Sequence, residues 1–514
     1  MKITLISTST FPSDQGIRTI SSVLKKEGYE VKIVFMTLSE DYSKNYNLSE
    51  LRQLLRLCKG SELVGINSFA STSQRASRII SFLKRNLNVP IVYGGVHATI
   101  SPEDCMKIAD IICVGEGEET IVDLAKAVER GKKFDKIKNL WLKNPETGKI
   151  IRNPVRNLID KLDSLPLPDY DIETHYILDK GRIRKFQEND LSGQIFFLTG
   201  RGCPYGCDYC SNSFFNQLYE GKRKSILRWH SPEYIIKGII ELKRKFPHTL
   251  KYFDIRDDTF SLRSLEDIKK FCKLYKENVH LRFKCLADPK TVSDEKIKLL
   301  VDAGCTDIII GIQGSEQTNL RVYHRNQTDA DVLRTAKILN KYKDKLAVMY
   351  DVITCNPYET SEEIINLIKL LQKIPKPYYL SVNNLVFFPG SQLYRRAAND
   401  ETIKAEKDAS YKLNYWDRAK HIRLKEKNAY LVLILNLMRG SVTQNRFGFM
   451  PSFLINWLLS PKRVRKNLRN TLPTKFALKG VEIIDLIRER VLKPAYRSLP
   501  VNFKAWYDKV RYRV

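Results

Sequence analysis

The 514-residue sequence has no uninterrupted apolar run that approaches the roughly 20 residues of a membrane-spanning helix. Its first residues, MKITLISTST, lack the long apolar core and the small-residue cleavage site of a secretory signal peptide. Ten cysteines in a chain of this length are also too few for a disulfide-stabilised scaffold. These absences predict a cytoplasmic protein whose thiols are reduced.

Charge is the least balanced property of the chain, because 87 Lys and Arg stand against 58 Asp and Glu, a formal charge of +29. The hydrophobic fraction of 43% is that of a globular protein, and the length predicts two to four domains of roughly 150 residues each. Residues 401–514 hold 25 Lys and Arg but 9 Asp and Glu, more than half of the excess. The surplus that could attract an anionic membrane or a nucleic acid is therefore concentrated in the last part of the chain.

Three cysteines lie close together in RGCPYGCDYCSN, at Cys203, Cys207 and Cys210. Thiolates at this spacing can converge on one metal centre, and no nearby fourth cysteine or histidine completes a tetrahedral site. Thiolates are soft ligands that suit iron–sulfur clusters or zinc, and three of them on a four-iron cluster would leave one iron open. The alternatives are a zinc site with a distant fourth ligand and a chance grouping of buried thiols.

The cysteine loop follows a strand, QIFFLTG, and five more strands are predicted at TLKYFDIRDD, HLRFKCLAD, TDIIIGIQGS, AVMYDVITCNP and YYLSVNNLVFFPG. Helical segments such as Pro232–Lys245 and Ser264–Lys276 separate them. Reactive loops at strand ends are the layout of barrel enzymes. With its CxxxCxxC spacing and an aromatic residue before the last cysteine, the region 191–400 resembles the partial (β/α)6 barrel of the radical S-adenosylmethionine (SAM) enzymes.

The resemblance implies that Cys203, Cys207 and Cys210 hold a [4Fe–4S] cluster whose open iron binds SAM. The strand-end motifs RDDTF, GIQGSE, YHRNQT and CNPYET imply SAM-binding residues at Tyr209, Asp257, Asp258, Gln313, Ser315, Arg325, Pro357 and Glu359. In CNPYET, Cys355 and Tyr358 replace two glycines of the family's Gly-x-Pro-Gly-Glu loop. The alternatives are helix capping or a solvated surface for the two aspartates and a surface position for the arginine.

Residues 1–135 alternate short apolar runs with amphipathic segments. KITLIS, YEVKIVFM, ELVGINSF, PIVYGG and DIICVGEGE predict strands, and helical periodicity occurs around residues 17–26, 73–85 and 119–130. This alternation predicts a doubly wound, flavodoxin-like parallel sheet, in which ligands bind at the carboxyl ends of the strands. The candidate ligand loops are Ser7–Gly16, Ser68–Ser73, Gly94–Thr99 and Gly115–Glu119.

These loops are rich in glycine and small hydroxyls, which permit close backbone approach to a polar ligand. The succession INSFASTS, PIVYGGVHAT and VGEGEET resembles the cobalamin-binding domain found ahead of many radical SAM domains. The resemblance implies cobalamin contacts at Thr10, Asp14, Gly16, Ser68, Ser71, Gly94, Gly95, His97, Gly115, Glu116 and Gly117. The alternative is a nucleotide-binding or empty flavodoxin-like fold, although no G-x-G-x-x-G loop follows the first strand.

The first loop departs from the family in one respect. Cobalamin domains that supply a lower histidine ligand carry an Asp-x-His-x-x-Gly loop after the first strand, whereas FPSDQGIRT contains Asp14 and Gly16 but no histidine. We therefore expect a corrinoid to bind without a protein imidazole from this loop. His97 is the other nearby histidine, and an orienting or solvent-exposed role is expected for it in preference to cobalt ligation.

Residues 136–190 lose the strict alternation, and Pro166 and Pro168 favour an extended linker. Asp169 and Asp171 are predicted to be surface or turn residues of that linker. Residues 401–514 predict a basic, mainly helical C-terminal domain, in which AYLVLILNLM and FMPSFLINWLLSP precede KRVRKNLR. These segments favour either a helical cap on the barrel or a segment lying on an anionic membrane surface, and nucleic-acid contact is the least favoured partner.

The resemblance extends over residues 1–395 and implies a cobalamin-dependent radical SAM enzyme. One-electron cleavage of SAM would yield a 5′-deoxyadenosyl radical that abstracts hydrogen from an unactivated carbon, and methylcobalamin would supply a methyl group. The expected protein is a methyltransferase for a small-molecule or lipid-like substrate, with flavodoxin or ferredoxin as electron donor. Radical cyclisation or rearrangement is the alternative within this class, and a corrinoid or iron–sulfur sensor without catalysis is the alternative outside it.

Overall fold

A computed structural model describes residues 1–38, 44–144, 146–191, 194–222, 224–403, 428–441 and 451–469 of the chain. The chain divides into two compact units. The first comprises Met1–Cys285, Asp302–Gly304 and Val386–Tyr415, and the second comprises Leu286–Val301, Cys305–Leu385 and Trp416–Val514.

A nine-stranded sheet forms the first part of the first unit. Its strands are β1 (Lys2–Ser7), β2 (Glu30–Phe35), β3 (Leu63–Asn67), β4 (Ile91–Gly94), β5 (Ile111–Cys113), β6 (Leu140–Lys143), β7 (Ile150–Arg152), β8 (His175–Asp179) and β9 (Arg182–Lys185). The helices between them are α1 (Gln15–Lys26), α2 (Leu48–Cys58), α3 (Ser73–Lys84), α4 (Val96–Ile100), α5 (Pro102–Met106) and α6 (Glu118–Glu129). The strand order is β7-β6-β5-β4-β3-β1-β2-β8-β9.

The five strands predicted for the N-terminal domain are all present and pair in parallel. They read as nearly continuous apolar runs because both faces are covered, and Ile3, Leu5 and Ile6 of β1 are at most 2% exposed. The strand order reverses at β1, so the loops that follow β1 and β3 face each other at the edge where doubly wound sheets bind ligands. The predicted doubly wound fold is confirmed.

Residues 136–190 do not form the expected linker, because they supply four strands to the same sheet. Strands β6 and β7 extend one edge with antiparallel pairing, and β8 and β9 extend the other. The β8–β9 hairpin turns at Lys180 (φ 47°) and Gly181 (φ 82°), two left-handed residues as in a type I′ turn. The strands have only three to five residues each, which is too short for their alternation to stand out beside the neighbouring prolines.

Asp169 is likewise buried, whereas a surface position was expected. Its carboxylate accepts a hydrogen bond from Ser21 Oγ at 2.6 Å and forms an ion pair with Lys25 Nζ at 2.9 Å. Burial alone would raise the pKa of this carboxyl group, but His175 and the other donors hold it well below its usual range. The side chain of Asp171, by contrast, is 44% exposed, as expected for a turn.

The remaining described elements alternate strand and helix before the chain becomes helical. In chain order they are β10 (Gln194–Phe197), β11 (Gly200–Arg201), α7 (Ser211–Leu218), β12 (Arg228–Trp229), α8 (Pro232–Lys245), β13 (Tyr252–Ile255), α9 (Leu265–Asn278), β14 (Arg282–Ala287), α10 (Asp294–Asp302), β15 (Cys305–Gln313), α11 (Glu316–Arg321), α12 (Asp329–Asn340), β16 (Ala347–Thr354), α13 (Ser361–Lys373), β17 (Tyr379–Asn384), α14 (Gln392–Asn399), α15 (Ala429–Ser441), α16 (Ser452–Leu458) and α17 (Pro461–Arg469).

All six strands predicted for the barrel region are present. In the first unit β13 pairs in parallel with β10 and β14, and in the second unit β16 pairs in parallel with β15 and β17. The two-stranded hairpin of β11 and β12 was not predicted. Its two strands lie on either side of the segment that contains the cysteine loop and α7.

The described part of the C-terminal region is helical, as predicted. Helix α15 packs against β17 and α13 within the second unit, and Leu431, Ile434 and Leu435 are at most 1% exposed. This is the arrangement of a helical cap. No helix among the described residues is both long and apolar enough to cross a bilayer. The rest of the predicted domain 401–514, including residues 404–427, 442–450 and 470–514, lies outside the described residues.

Candidate active site

The cysteine loop lies between β11 and α7. Cys203 and Cys207 are buried and Cys210 is partly exposed. The backbone N–H of Cys210 donates to the carbonyl of Cys207 at 3.0 Å, and Cys210 then caps the N-terminus of α7. From the middle of this helix, Asn216 Nδ2 donates to the carbonyls of Cys203 (3.2 Å) and Tyr205 (3.1 Å). The loop conformation is thus fixed by protein contacts alone.

The three thiols are near one another. Burial raises the pKa of Cys203 to about 12, and the neighbouring Asp258, Cys210 and Cys207 add to the rise. Across the described residues, no three His, Cys, Asp or Glu side chains converge as the ligands of a single metal ion do. Each thiolate of an iron–sulfur cluster binds its own iron, so convergence on one point is not required. The three thiols are therefore near one another without sharing a single metal position.

Two glycines allow the hairpin to approach the loop closely. Gly202 has φ 86°, and a Cβ there would overlap the backbone of Ile226. A Cβ on Gly200 would overlap the ring of Trp229, its partner across the hairpin. Neither position can accept a larger side chain without moving the loop.

Of the two aspartates predicted to bind SAM, Asp257 is occupied by protein donors. Its carboxylate accepts hydrogen bonds from the backbone N–H groups of Thr199 (2.6 Å) and Gly200 (3.0 Å) and from the Thr199 hydroxyl. Burial raises its pKa to about 6, and Arg263 opposes the rise. Asp257 therefore anchors the strand end that leads into the cysteine loop.

Asp258 instead faces the cavity described below. Burial raises the pKa of its carboxyl group, and a hydrogen bond from the Asn212 side chain opposes the rise. Tyr209, the remaining predicted SAM contact in this unit, is partly buried beside Cys210. Of these three residues, only Asp258 is part of the cavity lining.

The loops after β1 and β3 are bound to each other through Asp14. Its Oδ2 accepts from Ser7 Oγ at 2.7 Å and from Asn67 Nδ2 at 3.0 Å, while its Oδ1 caps α1. Ser68 is buried and its hydroxyl bonds with that of Tyr93 at 2.6 Å. These two predicted cobalamin contacts are engaged within the protein.

A cavity of about 540 Å³ opens beside these loops within the first unit. The predicted cobalamin contacts that line it are Gly16, Gly94, Gly95, Gly115, Glu116 and Gly117, and those absent from its lining are Thr10, Asp14, Ser68, Ser71 and His97. Its deeper wall is apolar and includes Leu5, Ile66, Val92, Ile121 and Leu124. The cavity is also lined by residues on either side of the three cysteines, namely Gly200, Arg201, Gly202, Asn212 and Arg228.

His97 is 4% exposed, so the solvent-exposed role considered for it is wrong.

The glycines of the cavity rim explain the shape of the cavity. Gly115 has φ 96° and would overlap the hydroxyl of Tyr219 if it carried a Cβ. Gly95 has φ 94° and its Cβ would lie 3.0 Å from the carbonyl oxygen of Ser68. A bare backbone rim over an apolar floor would suit a corrinoid, because the rim permits close approach of a polar ligand and the floor accepts apolar surface.

Glu116, predicted as a cobalamin contact, is the centre of a buried ion network. Its carboxylate accepts from Arg201 Nη1 at 3.1 Å and from both terminal nitrogens of Arg228, at 3.0 and 2.8 Å. Arg201 also pairs with Glu118 at 2.6 Å. Burial would raise the pKa of Glu116, but Arg201 and Arg228 lower it. The backbone N–H of Glu116 donates to the Tyr219 hydroxyl at 2.8 Å. The Gly115–Gly117 loop is therefore bonded to residues on both sides of the three cysteines.

The other predicted SAM contacts belong to the second unit. Arg325 is not a surface arginine, because its side chain is 12% exposed and pairs with Asp288 at 2.5 Å. It also donates to the carbonyl of Gly311 at 3.1 Å. Gln313 ends β15 with φ 68°. Cys355, which replaces a family glycine, has φ 59°, so the left-handed backbone that a glycine would adopt freely is kept at a cost of about 1 kcal/mol.

Ser315 and Glu359, two further predicted contacts, are joined through Thr318. Ser315 Oγ donates to Thr318 Oγ1 at 3.1 Å, and Thr318 Oγ1 donates to Glu359 Oε1 at 2.9 Å. Both predicted residues are 1% exposed. Burial raises the pKa of Glu359 to about 8, with Thr318 opposing the rise. Glu359 is therefore largely protonated at neutral pH, and Pro357 lies partly buried in the same loop.

Sequence reasoning missed Arg201, Arg228, Tyr219, Asn216 and Arg263 as residues of the site. Only Arg201 carried a signal, since it directly precedes the cysteine motif. The others depend on contacts between distant segments, such as the 112 residues that separate Glu116 from Arg228.

We predict that Glu116→Gln destabilises the first unit. The substitution leaves Arg228, whose side chain is 6% exposed, without its carboxylate, and breaking one side of a buried ion pair costs about 3 kcal/mol. The urea midpoint and the iron bound per chain after anaerobic reconstitution should both fall. Glu119→Gln is the matched control, because Glu119 is 60% exposed and pairs with Arg156 at the surface. Equal effects of the two variants would contradict this role.

A second prediction concerns Glu359. A carboxyl group with a native pKa of about 8 binds a proton in the folded state that the unfolded state releases above about pH 4.3. Stability should therefore fall as the pH rises from about 5 to 8. Glu359→Gln removes this dependence, so the variant should gain thermal midpoint relative to the wild type between pH 6 and pH 9.

Glu363→Gln is the control for that series. Arg321 and Thr360 lower the pKa of Glu363 against the effect of burial, so its loss should destabilise at pH 7 and at pH 9 alike. A flat difference between wild type and Glu359→Gln across this range would overturn the assignment of a protonated Glu359.

Comparison with known proteins identifies two family domains in the chain. The sequence model of the B12 binding domain matches residues 1–125, and that of the radical SAM superfamily matches residues 197–371. An uncharacterized methyltransferase of Pyrococcus horikoshii is 27% identical over 389 residues, which cover 74% of this chain and 78% of the relative. Bacteriochlorophyllide d C-8(2)-methyltransferase of Chlorobaculum tepidum is 25% identical over 356 residues, covering 67% and 70%.

Among solved structures, the radical SAM methyltransferase TsrM from Kitasatospora setae, with cobalamin and a [4Fe–4S] cluster bound, superimposes with a TM-score of 0.62. The alignment covers 78% of this chain and 75% of that one at 16% identity, and so it shows a shared fold. The cofactors predicted from the sequence, a [4Fe–4S] cluster, SAM and cobalamin, are those of this family. The chain is therefore a radical SAM enzyme with a B12-binding domain, and its named relatives include methyltransferases.

Proposed function

We propose that the protein transfers a methyl group to an unactivated carbon of a small-molecule or lipid-like substrate. The observation that carries the proposal is the shared cavity of about 540 Å³, which the glycine rim of the B12-binding domain and the segment around the cysteine loop line together. A methyl donor on the rim and a radical source at the loop would thus act on one partly closed volume. Enclosure limits side reactions with solvent.

Each group of residues has a proposed task. The bound cofactors would supply one-electron cleavage of SAM and a transferable methyl group. Cys203, Cys207 and Cys210 would hold the cluster, and Asp258 would bind the cationic amino group of SAM, because its carboxylate faces the cavity while that of Asp257 is engaged by Thr199. The rim glycines would carry the corrinoid. No histidine of the β1 loop is available as a lower cobalt ligand.

Radical cyclisation or rearrangement is the second candidate, since the same cavity could enclose a substrate radical that closes on itself. The two reactions differ in the fate of the SAM methyl group, which enters the product only in methyl transfer. A reductant such as flavodoxin or ferredoxin is part of both proposals, because SAM cleavage consumes one electron.

The test uses the full chain, reconstituted anaerobically with iron, sulfide and cobalamin and given a low-potential reductant. With SAM labelled at its methyl group and a small-molecule extract, we expect 5′-deoxyadenosine to form and the label to appear in a product. Formation of 5′-deoxyadenosine with a modified but unlabelled product would favour cyclisation or rearrangement. If SAM is not cleaved at all, the proposal is wrong.

The matched variants are Cys203→Ala and Cys58→Ala. Cys203 is one of the proposed cluster ligands, so its loss should abolish SAM cleavage and the cluster absorbance. Cys58 is equally buried but lies on α2, and its replacement should leave both in place. Activity that survives in Cys203→Ala would disprove the ligand assignment.

We further propose that α16 and α17 contact an anionic membrane surface. Phe453 and Trp457 on α16 are 73% and 49% exposed, and Lys462 and Lys466 on α17 are exposed beside them. The guanidinium of Arg463 lies 3.3 Å from the centre of the Trp457 ring. Exposed aromatic side chains next to a basic helix favour insertion at an anionic interface.

Co-sedimentation with vesicles tests this contact. The wild type should bind vesicles containing phosphatidylserine, and binding should weaken when salt is raised or when phosphatidylcholine alone is used. Phe453→Ser with Trp457→Ser should reduce binding severalfold. Leu48→Ser, which changes a residue of similar exposure (48%) on α2, is the control, and equal loss in the control would refute a specific role for α16.

A further inference from the structure

Strands β13 and β14 carry a compact charged group that the site described above does not use. Asp254 and Lys284 are register partners on these paired strands. Asp254 Oδ2 accepts from Lys284 Nζ at 2.8 Å and from Arg256 Nε at 2.7 Å. Two cations therefore share one carboxylate, which leaves the group with one net positive charge.

The positive charge is presented at the cavity by Arg256. Asp254 is fully buried and the side chain of Lys284 is 15% exposed, whereas that of Arg256 is 43% exposed and lines the cavity. Asp254 occupies the Nε and Nη2 side of the guanidinium, each at 2.7 Å. Within the described residues, Nη1 has no hydrogen-bond partner. The arginine can thus offer donors to a ligand while its position is fixed from behind.

Aromatic packing orients this arginine. Its guanidinium carbon lies 4.8 Å from the centre of the Phe196 ring on β10, and Phe11, from the loop after β1, packs edge-on against Phe196 at 5.5 Å. A guanidinium stacked on a ring and bonded along one edge is restricted in orientation, so little conformational entropy remains to be lost on binding. The geometry is that of a prepared anion site.

The other charges of the cavity do not neutralise Arg256. Glu116 and Glu118 are matched by Arg201 and Arg228 in the ion network. Asp258 is assigned above to the amino group of SAM. The group of Arg256, Lys284 and Asp254 then keeps one positive charge that no other side chain of the cavity lining offsets. A charged group in a partly closed cavity favours a ligand of opposite sign.

We infer that Arg256, supported by Lys284, binds a carboxylate or phosphate group of the substrate. This inference rests on the proposed function, because it assigns the substrate to the cavity shared by the corrinoid rim and the cluster loop. Arginine offers paired N–H donors that match the oxygens of either anion. The reaction would thus be directed at a carbon of a molecule held by its acidic end.

The test measures binding of inorganic phosphate and of acetate to the reconstituted holoenzyme with SAM bound. Titration calorimetry should show saturable binding of at least one anion at millimolar concentration. Arg256→Gln should weaken it at least about tenfold, because a charge-assisted hydrogen bond and the exposed charge are both lost. Lys284→Met should weaken it less, since Asp254 keeps its pairing with Arg256 and no buried charge is left alone.

Arg244→Gln is the control, because Arg244 is an exposed arginine on α8 and its loss should leave anion affinity unchanged. The two anions distinguish a phosphate site from a carboxylate site. Absence of saturable binding, or equal affinity in Arg256→Gln and Arg244→Gln, would overturn the inference even if the wild type cleaves SAM. So would a lower SAM affinity in Arg256→Gln with unchanged anion binding, because the arginine would then serve the carboxylate of SAM. Failure of the wild type to cleave SAM would instead count against the proposed function.

Discussion

The carboxylate of Glu116 links the two cofactor loops of the first unit. It belongs to the glycine loop after β5, and its partners Arg201 and Arg228 lie on the two strands of the hairpin that encloses the cysteine loop. Burying such charges is costly unless every partner is present, so the network is stable only when hairpin and loop are both in place. Tyr219 adds a second bond from the end of α7. One loop therefore cannot shift without disturbing the other.

Charged side chains also fix the backbone that leads into the cysteine loop. Asp257 binds the N–H groups of Thr199 and Gly200, and Arg263 binds the carbonyl and hydroxyl of Thr199 while stacking 4.4 Å from the Trp229 ring. Because these side chains are buried and bonded to the backbone, they fix its position and do not face a ligand. The residues that remain open to the cavity, such as Asp258, are the ones free to meet a cofactor or substrate.

The sequence allowed the five parallel strands β1–β5 and the six strands of the barrel region to be predicted, because buried parallel strands read as apolar runs bounded by glycine and polar loops. It also located the cysteine loop, whose ligands are local in sequence. It did not show which polar residues bind a ligand and which only hold the protein backbone in place. Glu116 and Asp257 have the residue types of ligand contacts, yet they bond to protein partners that lie 112 and 58 residues away. Long-range partners of this kind leave no periodic trace in one sequence. The edge strands β6–β9 were missed because each has only three to five residues, too few for an alternation to stand out.

The same distinction determines what the cavity can recognise. Four of its charged side chains, two carboxylates and two guanidinium groups, are engaged in the network around Glu116, so their charges balance. Arg256 differs because its carboxylate partner, the buried Asp254, is shared with Lys284. Asp254 bonds the Nε and Nη2 atoms of the guanidinium and does not bond Nη1. In a partly closed site, a positive charge that is fixed in position but not neutralised attracts anionic ligands, and it attracts a small oxyanion most strongly. The polarity of the substrate is therefore determined by this one imbalance among otherwise paired charges.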